Sequence, residues 1–206
     1  MSLWNWNQRH GYSGHIALQV VTAPTVEPVT LAEAKLHCKV DLTDDNDLIT
    51  SLIVAAREYC EVQTQRSFVN TTWDLTLDYF PVCIYIPRSK LSSVTSITYT
   101  NTAGTSTTLA STDYRVDTAS EPARITEAYG VTWPATRTQT GAVVVRFVAG
   151  YGAAASSVPD SIKSAIKQMV EHQYEKRGPV VVGSIVSDVP KSVDDLLAAN
   201  AVVTLV

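Results

Sequence analysis

The hydrophobic period of this chain changes twice, and that limits its fold more than any other feature. Over residues 43–66 apolar side chains recur at positions 48, 49, 52, 53, 56, 59 and 60, the spacing of an amphipathic helix of about five turns. From Ser67 the period drops to two. Trp73, Leu75, Leu77 and Tyr79 alternate with Thr72, Asp74, Thr76 and Asp78, as in a half-buried strand, and Pro81 ends the run. Helical spacing returns after Pro159: Ile162, Ala165, Ile166, Met169, Val170 and Tyr174 form one stripe, stopped by Gly178-Pro179. The order is therefore helices, an all-β block, then helices.

The flanks supply the remaining elements. In VTLAEAKLHCKV, Thr30 with Glu33 three residues later reads as a capping box, and Leu31, Ala34, Leu36 and Cys38 as the apolar face of a short helix. Thr43 or Asp44 would cap the long helix that follows, whose first-turn acids suit the helix dipole. Further strands are expected at 83–86, 94–100, 113–117, 123–126 and 142–149, with NTAG at 101–104 as a hairpin turn. A last short helix is expected near 192–200. Neither helical flank carries enough apolar surface to fold alone, so the two should pack into one small bundle around an inserted antiparallel sandwich- or barrel-like block. The fold class is α+β. The expected divisions are an extended arm at 1–29, helical core at 30–66, β-rich insertion at 67–152, helical core again at 153–200 with a mobile segment at 178–190, and a tail at 201–206.

Composition removes several functions. The 206 residues are only 17% charged and carry a net charge of −4, with no basic stretch, so tight phosphate binding is not expected. Cys38, Cys60 and Cys83 are odd in number and form no CxxC pair, which reads as buried thiols of a reducing compartment. The N-terminal residues lack a signal-peptide pattern, and no run approaches the roughly 18 apolar residues of a membrane span, so a soluble protein made inside a cell and without membrane contact is expected.

No catalytic motif emerges. His37 and Cys38 are adjacent, so on a helix they point about 100° apart and make a poor dyad. The run DLTDDNDL has Asn46 where a calcium loop needs Gly and Leu52 where it needs Glu, and helix capping explains it better. His172, between Glu171 and Glu175, lacks an HExxH arrangement, and the glycines at 150 and 152 fit neither phosphate-binding loop. No metal, no cofactor and no enzymatic activity are expected.

Two kinds of segment point instead to contacts. PVVVGSIV and AVVTLV are apolar, β-prone and uncharged, so they either tuck against their own core or are covered by neighbouring copies or another protein; the second reading is preferred. The loop AYGVTWPATR carries Tyr129, Trp133 and Arg137 between Gly130 and Pro134. It serves as a pinned connection or a subunit contact, with a ligand pocket ranking third. Trp133 is expected to pack over a sheet edge. Trp4 and Trp6 suggest that the arm docks on something, because disordered tails are poor in aromatics.

Three runs carry a family resemblance: VTLAEAKLHCKVDLTDDNDLITSLIVAAREYCEVQTQRSF, EPARITEAYGVTWPATRTQTGAVVVRFVAGYG and VPDSIKSAIKQMVEHQYEKRG. In this order and spacing the chain resembles the head-tail connector (adaptor) proteins of tailed bacteriophages and prophages, over roughly residues 28–200. The resemblance implies a homo-oligomeric, dodecamer-like ring below the portal protein in the neck of the virion, assembled in the bacterial host cytoplasm. That ring would offer a platform to the tail or the next connector or stopper protein. DNA would pass through it with only transient, non-specific proximity, which suits a mildly acidic chain. The resemblance also implies that the C-terminal segment joins in portal docking. The candidate interface residues are then Val180, Val181, Val182, Ile185, Leu196, Leu197, Val202, Val203, Leu205 and Val206, with Trp4 and Trp6 of the arm and Tyr129, Trp133 and Arg137 of the loop. The competing readings are a carbohydrate-binding β-sandwich using Trp133, Tyr129 and Tyr151, and a cysteine enzyme using Cys38 or Cys60.

Overall fold

The computed structural model describes residues 12–176 and 190–202. The chain divides into two compact units: a β unit containing residues 70–151 and the N-terminal residues up to Pro24, and a helical unit made of Thr25–Val69 and Gly152–Ala201.

The helical unit has four helices: α1 (Leu31–Cys38), α2 (Asn46–Thr64), α3 (Asp160–Glu175) and α4 (Lys191–Ala198). The Thr30/Glu33 capping box forms as the sequence predicts. The Thr30 Oγ1 accepts the Glu33 amide at 3.2 Å, and the Glu33 carboxylate accepts the Thr30 amide at 2.7 Å. The start of α2 differs from expectation. Its N-cap is Asp45, not Thr43 or Asp44, and the Asp45 carboxylate accepts the Tyr174 hydroxyl at 2.6 Å rather than capping an amide. A tertiary hydrogen bond from the far end of α3 has taken the carboxylate.

That contact and those at the opposite end set the helix directions. Tyr174 lies at the start of α2, whereas Asn200 joins Arg66 beyond the end of α2 to Ser161 at the start of α3, so α2 and α3 are antiparallel. Ser192 bonds Gln168 at 2.8 Å, so α4 also runs against α3. The stripe Ile162, Ala165, Ile166, Met169 and Val170 is wholly buried, and Ile49, Ile53, Ala56 and Cys60 face it from α2.

The expected face of α1 is only partly right. Ala34 is buried, but Leu36 points to solvent, because two residues along a helix is a turn of about 200°. Only one of these two can face the core.

A charged cluster that pattern reasoning passed over holds this unit together. Arg57 is buried and donates to Glu27 through Nε and to Glu61 through Nη1, each at 2.8 Å. The other oxygen of Glu61 accepts the Phe68 amide at 2.7 Å. Burial alone would lower the pKa of Arg57, but Glu61 and Glu27 outweigh it and hold the guanidinium above its ordinary value.

The β unit contains β1 (Ile16–Thr22), β2 (Thr71–Leu77), β3 (Ile84–Tyr85), β4 (Leu91–Thr100), β5 (Ser106–Thr108), β6 (Tyr114–Asp117), β7 (Arg124–Glu127) and β8 (Val143–Ala149). One antiparallel sheet has the order β1-β2-β8-β4-β5 and a second the order β3-β7-β6. They share one core without closing into a barrel. Trp73, Leu75 and Leu77 of β2 pair with Phe147, Val145 and Val143 of β8, and the inner face meets Ile84, Ile86 and Ile125 beside the second sheet. On the outer face Asp74 and Arg146 oppose one another and form a two-point ion pair at 2.8 and 2.7 Å.

Part of the expected arm is sheet. β1 pairs with β2, and its entry is pinned by Tyr12, whose hydroxyl accepts the Asp78 amide at 2.7 Å. Asp78 in turn accepts the His15 and Gly141 amides at 2.9 Å each, bonds that lower its pKa. The strand escaped sequence reading because most of its residues stay exposed, so no alternation of apolar and polar residues marks it. The 101–104 hairpin is present between β4 and β5. Gly104 takes φ 89°, and Asn101 Oδ1 accepts the Ala103 and Thr105 amides at 3.0 Å.

Replacing Arg57 with Met should cost about 3–5 kcal/mol, because it strands two carboxylates at a buried site. Chemical denaturation followed by helical circular dichroism measures this. The double change Arg57→Met with Glu61→Gln should recover part of the loss.

Candidate interaction surfaces

The AYGVTWPATR loop joins β7 to β8 and splits into an inner and an outer part. Trp133 is inner. Its ring stacks on Phe80 with centroids 4.8 Å apart and planes 8° from parallel, and its amide donates to Glu127 at 2.6 Å. Phe80 also meets Tyr99 edge-on at 5.8 Å, so a small aromatic cluster anchors the loop. Tyr129 is outer and 99% exposed, lifted on a turn in which Gly130 takes φ 77°. Arg137 is exposed, and its guanidinium lies over Gly104 of the neighbouring hairpin while its amide bonds the Thr100 carbonyl at 3.0 Å. The three residues predicted as one contact set are therefore not equivalent.

A second exposed apolar side chain lies near the same edge. Ile84 pairs with Ile125 in the antiparallel β3–β7 ladder, so Val82 and Tyr129 run off the same end of it. Val82 is 90% exposed. No sequence pattern singles it out, because isolated exposed apolar residues are common.

In the helical unit, Leu197 is a core residue packed with Val193, not a surface residue as its place among the candidates implied. The spacing of α4 puts both on its inner face. Leu196 is half-buried, and so is Val202, which belongs to the β unit. Trp4, Trp6, Val180, Val181, Val182, Ile185, Val203, Leu205 and Val206 lie outside the described residues.

The same unit has an apolar groove of about 420 Å³ lined by Val26, Val29, Leu31, Ile53 and Ala153 to Ala155, with Glu27, Thr30 and Thr50 as its polar members. It also carries two very exposed leucines, Leu36 at 82% and Leu42 at 72%. Sequence reasoning had buried the first and did not single out the second.

The cysteines lack the setting of nucleophiles. Burial pushes Cys60 up to about 12 and raises Cys83, while burial, then Glu171 and Glu175, raises Cys38. His37 points Nε2 towards Glu171 at 3.2 Å. Among the described residues no group of three or more His, Cys, Asp or Glu side chains is placed to hold a metal ion, and no helix is long and apolar enough to cross a membrane.

Comparison with known proteins bears on what these surfaces serve. Residues 28–127 match the family model of the phage gp6-like head-tail connector protein. The chain is connector-like in sequence and in fold. No curated protein sequence matches it. Among solved structures, a chain in the neck of an empty gene transfer agent (GTA) particle, computed with C6 symmetry, is 25% identical with a TM-score of 0.75. The match covers 92% of this chain and 97% of that one. A chain in the neck of a native GTA particle, computed with C12 symmetry, is also 25% identical, with the same coverage and a TM-score of 0.71. A third, in the virion of the native particle, shares the fold at 23% identity and a TM-score of 0.75, again over 92% and 97% of the two chains. The family model and the two neck chains together support a structural connector role.

The loop's two parts give a direct test. Trp133→Ala should destabilise the β unit by about 3 kcal/mol through loss of the stack on Phe80. Tyr129→Ala should change stability by no more than about 0.5 kcal/mol, since the side chain touches almost nothing. Thermal unfolding of both variants distinguishes an internal anchor from a residue kept for an external contact.

Proposed function

We propose that this chain is a head-tail connector of a tailed phage or phage-like particle, whose copies form a homo-oligomeric, dodecamer-like ring in the virion neck. The ring binds the portal protein on one side, offers the attachment platform for the tail or the next neck protein on the other, and lets DNA pass. The observation that carries this reading is the near full-length match to neck chains, 92% of this chain against 97% of the relative, together with the connector family model. The C6 and C12 symmetries of the two matched necks accord with a cyclic ring. A net charge of −4 suits a conduit that must not retain the polyanion moving through it. Assembly in the bacterial host cytoplasm accords with three cysteines that form no disulfide.

Residues 195–206, apart from the core residue Leu197, and the Val-rich run at 180–182 are the proposed portal and subunit contacts, together with the N-terminal tryptophans. The carbohydrate-binding alternative is not favoured, because the matching family model is a connector's and the matched chains come from particle necks.

Electron microscopy of this protein mixed with portal rings from the same source should show an added layer of density below the portal. Bare portal rings in the presence of folded protein would contradict the reading. Deleting residues 202–206 should leave a folded chain that joins the portal poorly, and Val181→Asp should harm assembly more than monomer stability.

A further inference from the structure

We infer that two copies of this chain pair through the open edge of β1, antiparallel and in a two-fold register centred on Leu18, so that their five-stranded sheets join into one. A two-fold pair closes on itself, whereas a ring needs contacts between unlike patches. The pair is therefore a state of the chain outside the ring, and it stands or falls independently of the connector function.

An open sheet edge invites another strand unless something blunts it, and the other edges of the two sheets are blunted. β3 is two residues long and lies between Pro81 and Pro87, β5 is three residues long, and β6 carries Arg115 and Asp117. β1 is different. It is seven residues long, and no charged residue occurs from Ile16 to Val26. The ladder fixes which of its polar groups face outwards. The Thr100 amide bonds the Ala142 carbonyl, so even-numbered residues along β8 bond β4 and odd-numbered ones bond β2. Carried through the β2–β8 and β1–β2 registers, this alternation turns Ala17 and Gln19 towards β2 and leaves the amides and carbonyls of Ile16, Leu18 and Val20 on the outer edge. Among the described residues, those groups have no backbone partner.

This edge matches a copy of itself. Its regular part has a defined start and end: the His15 amide is held by Asp78 at 2.9 Å, and the register shifts between Val20 and Thr22. Between these limits the row Ile16, Leu18, Val20 is symmetric about Leu18. Run antiparallel, it sets Leu18 against Leu18 of the second copy and Ile16 against Val20 of the second copy, and each opposed pair exchanges both of its hydrogen bonds. The same residues have apolar surface to bury. Their side chains lie on the core side of the sheet, level with Leu77, Leu75 and Trp73, yet Ile16 and Leu18 are only half-buried and Val20 is 44% exposed. The identical row of the second copy continues the apolar face over them. On the opposite face Ala17 meets Gln19 of the second copy, so no charge is opposed anywhere along the seam. The occupant of this edge must be extended, uncharged and apolar at alternate residues, and β1 itself is an exposed strand that meets all three conditions.

Two double variants test the pair and its register. Ala17 and Gln19 are exposed on the face away from the core, so replacing them spares the fold. Across the seam each lies opposite the other, with Cβ atoms about 5 Å apart. Gln19→Lys with Ala17→Lys sets like charges in contact there, whereas Gln19→Lys with Ala17→Glu sets opposite ones. Sedimentation equilibrium of the wild type should show a concentration-dependent dimer. The like-charged variant should raise its dissociation constant by about tenfold, and the oppositely charged variant should dimerise at least as well as the wild type. The two variants differ at a single exposed residue, and equal thermal unfolding midpoints show that both are folded. A wild-type chain that stays monomeric throughout, two variants that associate alike, or oligomers indifferent to the charge at residue 17 would each overturn the β1 pair. None of these outcomes bears on the connector reading, whose own test is the added layer of density below the portal.

Discussion

One guanidinium ties together the two ends of the helical unit's first piece. Arg57, near the middle of α2, grips Glu27 from the segment that leads into α1, and through Glu61 it governs the Phe68 amide where the chain turns away. Both ends of the first helical piece are thereby tied to one point. The second piece, α3 and α4, is separated from it by the whole β block and packs its buried stripe against Ile49, Ile53, Ala56 and Cys60 of α2. A buried ion cluster adds little net stability compared with apolar packing, but losing one member is costly, so it acts chiefly as a positional constraint.

The β unit solves a similar problem with neutral and singly charged groups. Asp78 gathers amides from His15 and Gly141, and its own amide is bonded to Tyr12, so residues distant in sequence meet at the end of β2. β8 lies between β2 and β4 and carries the most apolar inner face, with Val143, Val145, Phe147 and Ala149 all buried. The loop that delivers β8 is held by the stack of Trp133 on Phe80. That division of labour leaves Tyr129 exposed at the tip of the loop.

The connector role is supported by a family-model match over residues 28–127 and by structural likeness over 92% of the chain. No single chemical site carries it, which explains the pattern of successes and omissions among the candidate residues. A catalytic site announces itself by residue types that are rare and mutually dependent. A subunit contact is made of leucines, valines and tyrosines, the same residues that build cores, and a single sequence does not say which are inside. Leu197 and Leu36 were placed on the wrong side of that division for this reason: one lies in the core beside Val193, the other stands in solvent.

From the sequence alone the order of helices, strands and helices could be read, along with the capping box at Thr30, the buried stripe of α3, the alternation in β2 and the 101–104 hairpin. Each is a local or periodic signal, and the chemistry of a few neighbouring residues settles it. The family resemblance was legible in the same way, through spaced motifs. Only the tertiary structure decided that residues 16–22 form an edge strand, that Asp45 serves Tyr174 and not its own helix, that Arg57 and Glu61 are buried, and that Leu36 and Leu42 are exposed. These depend on which surfaces meet across 30 to 130 residues of chain, and hydrophobicity along the sequence carries no record of that pairing.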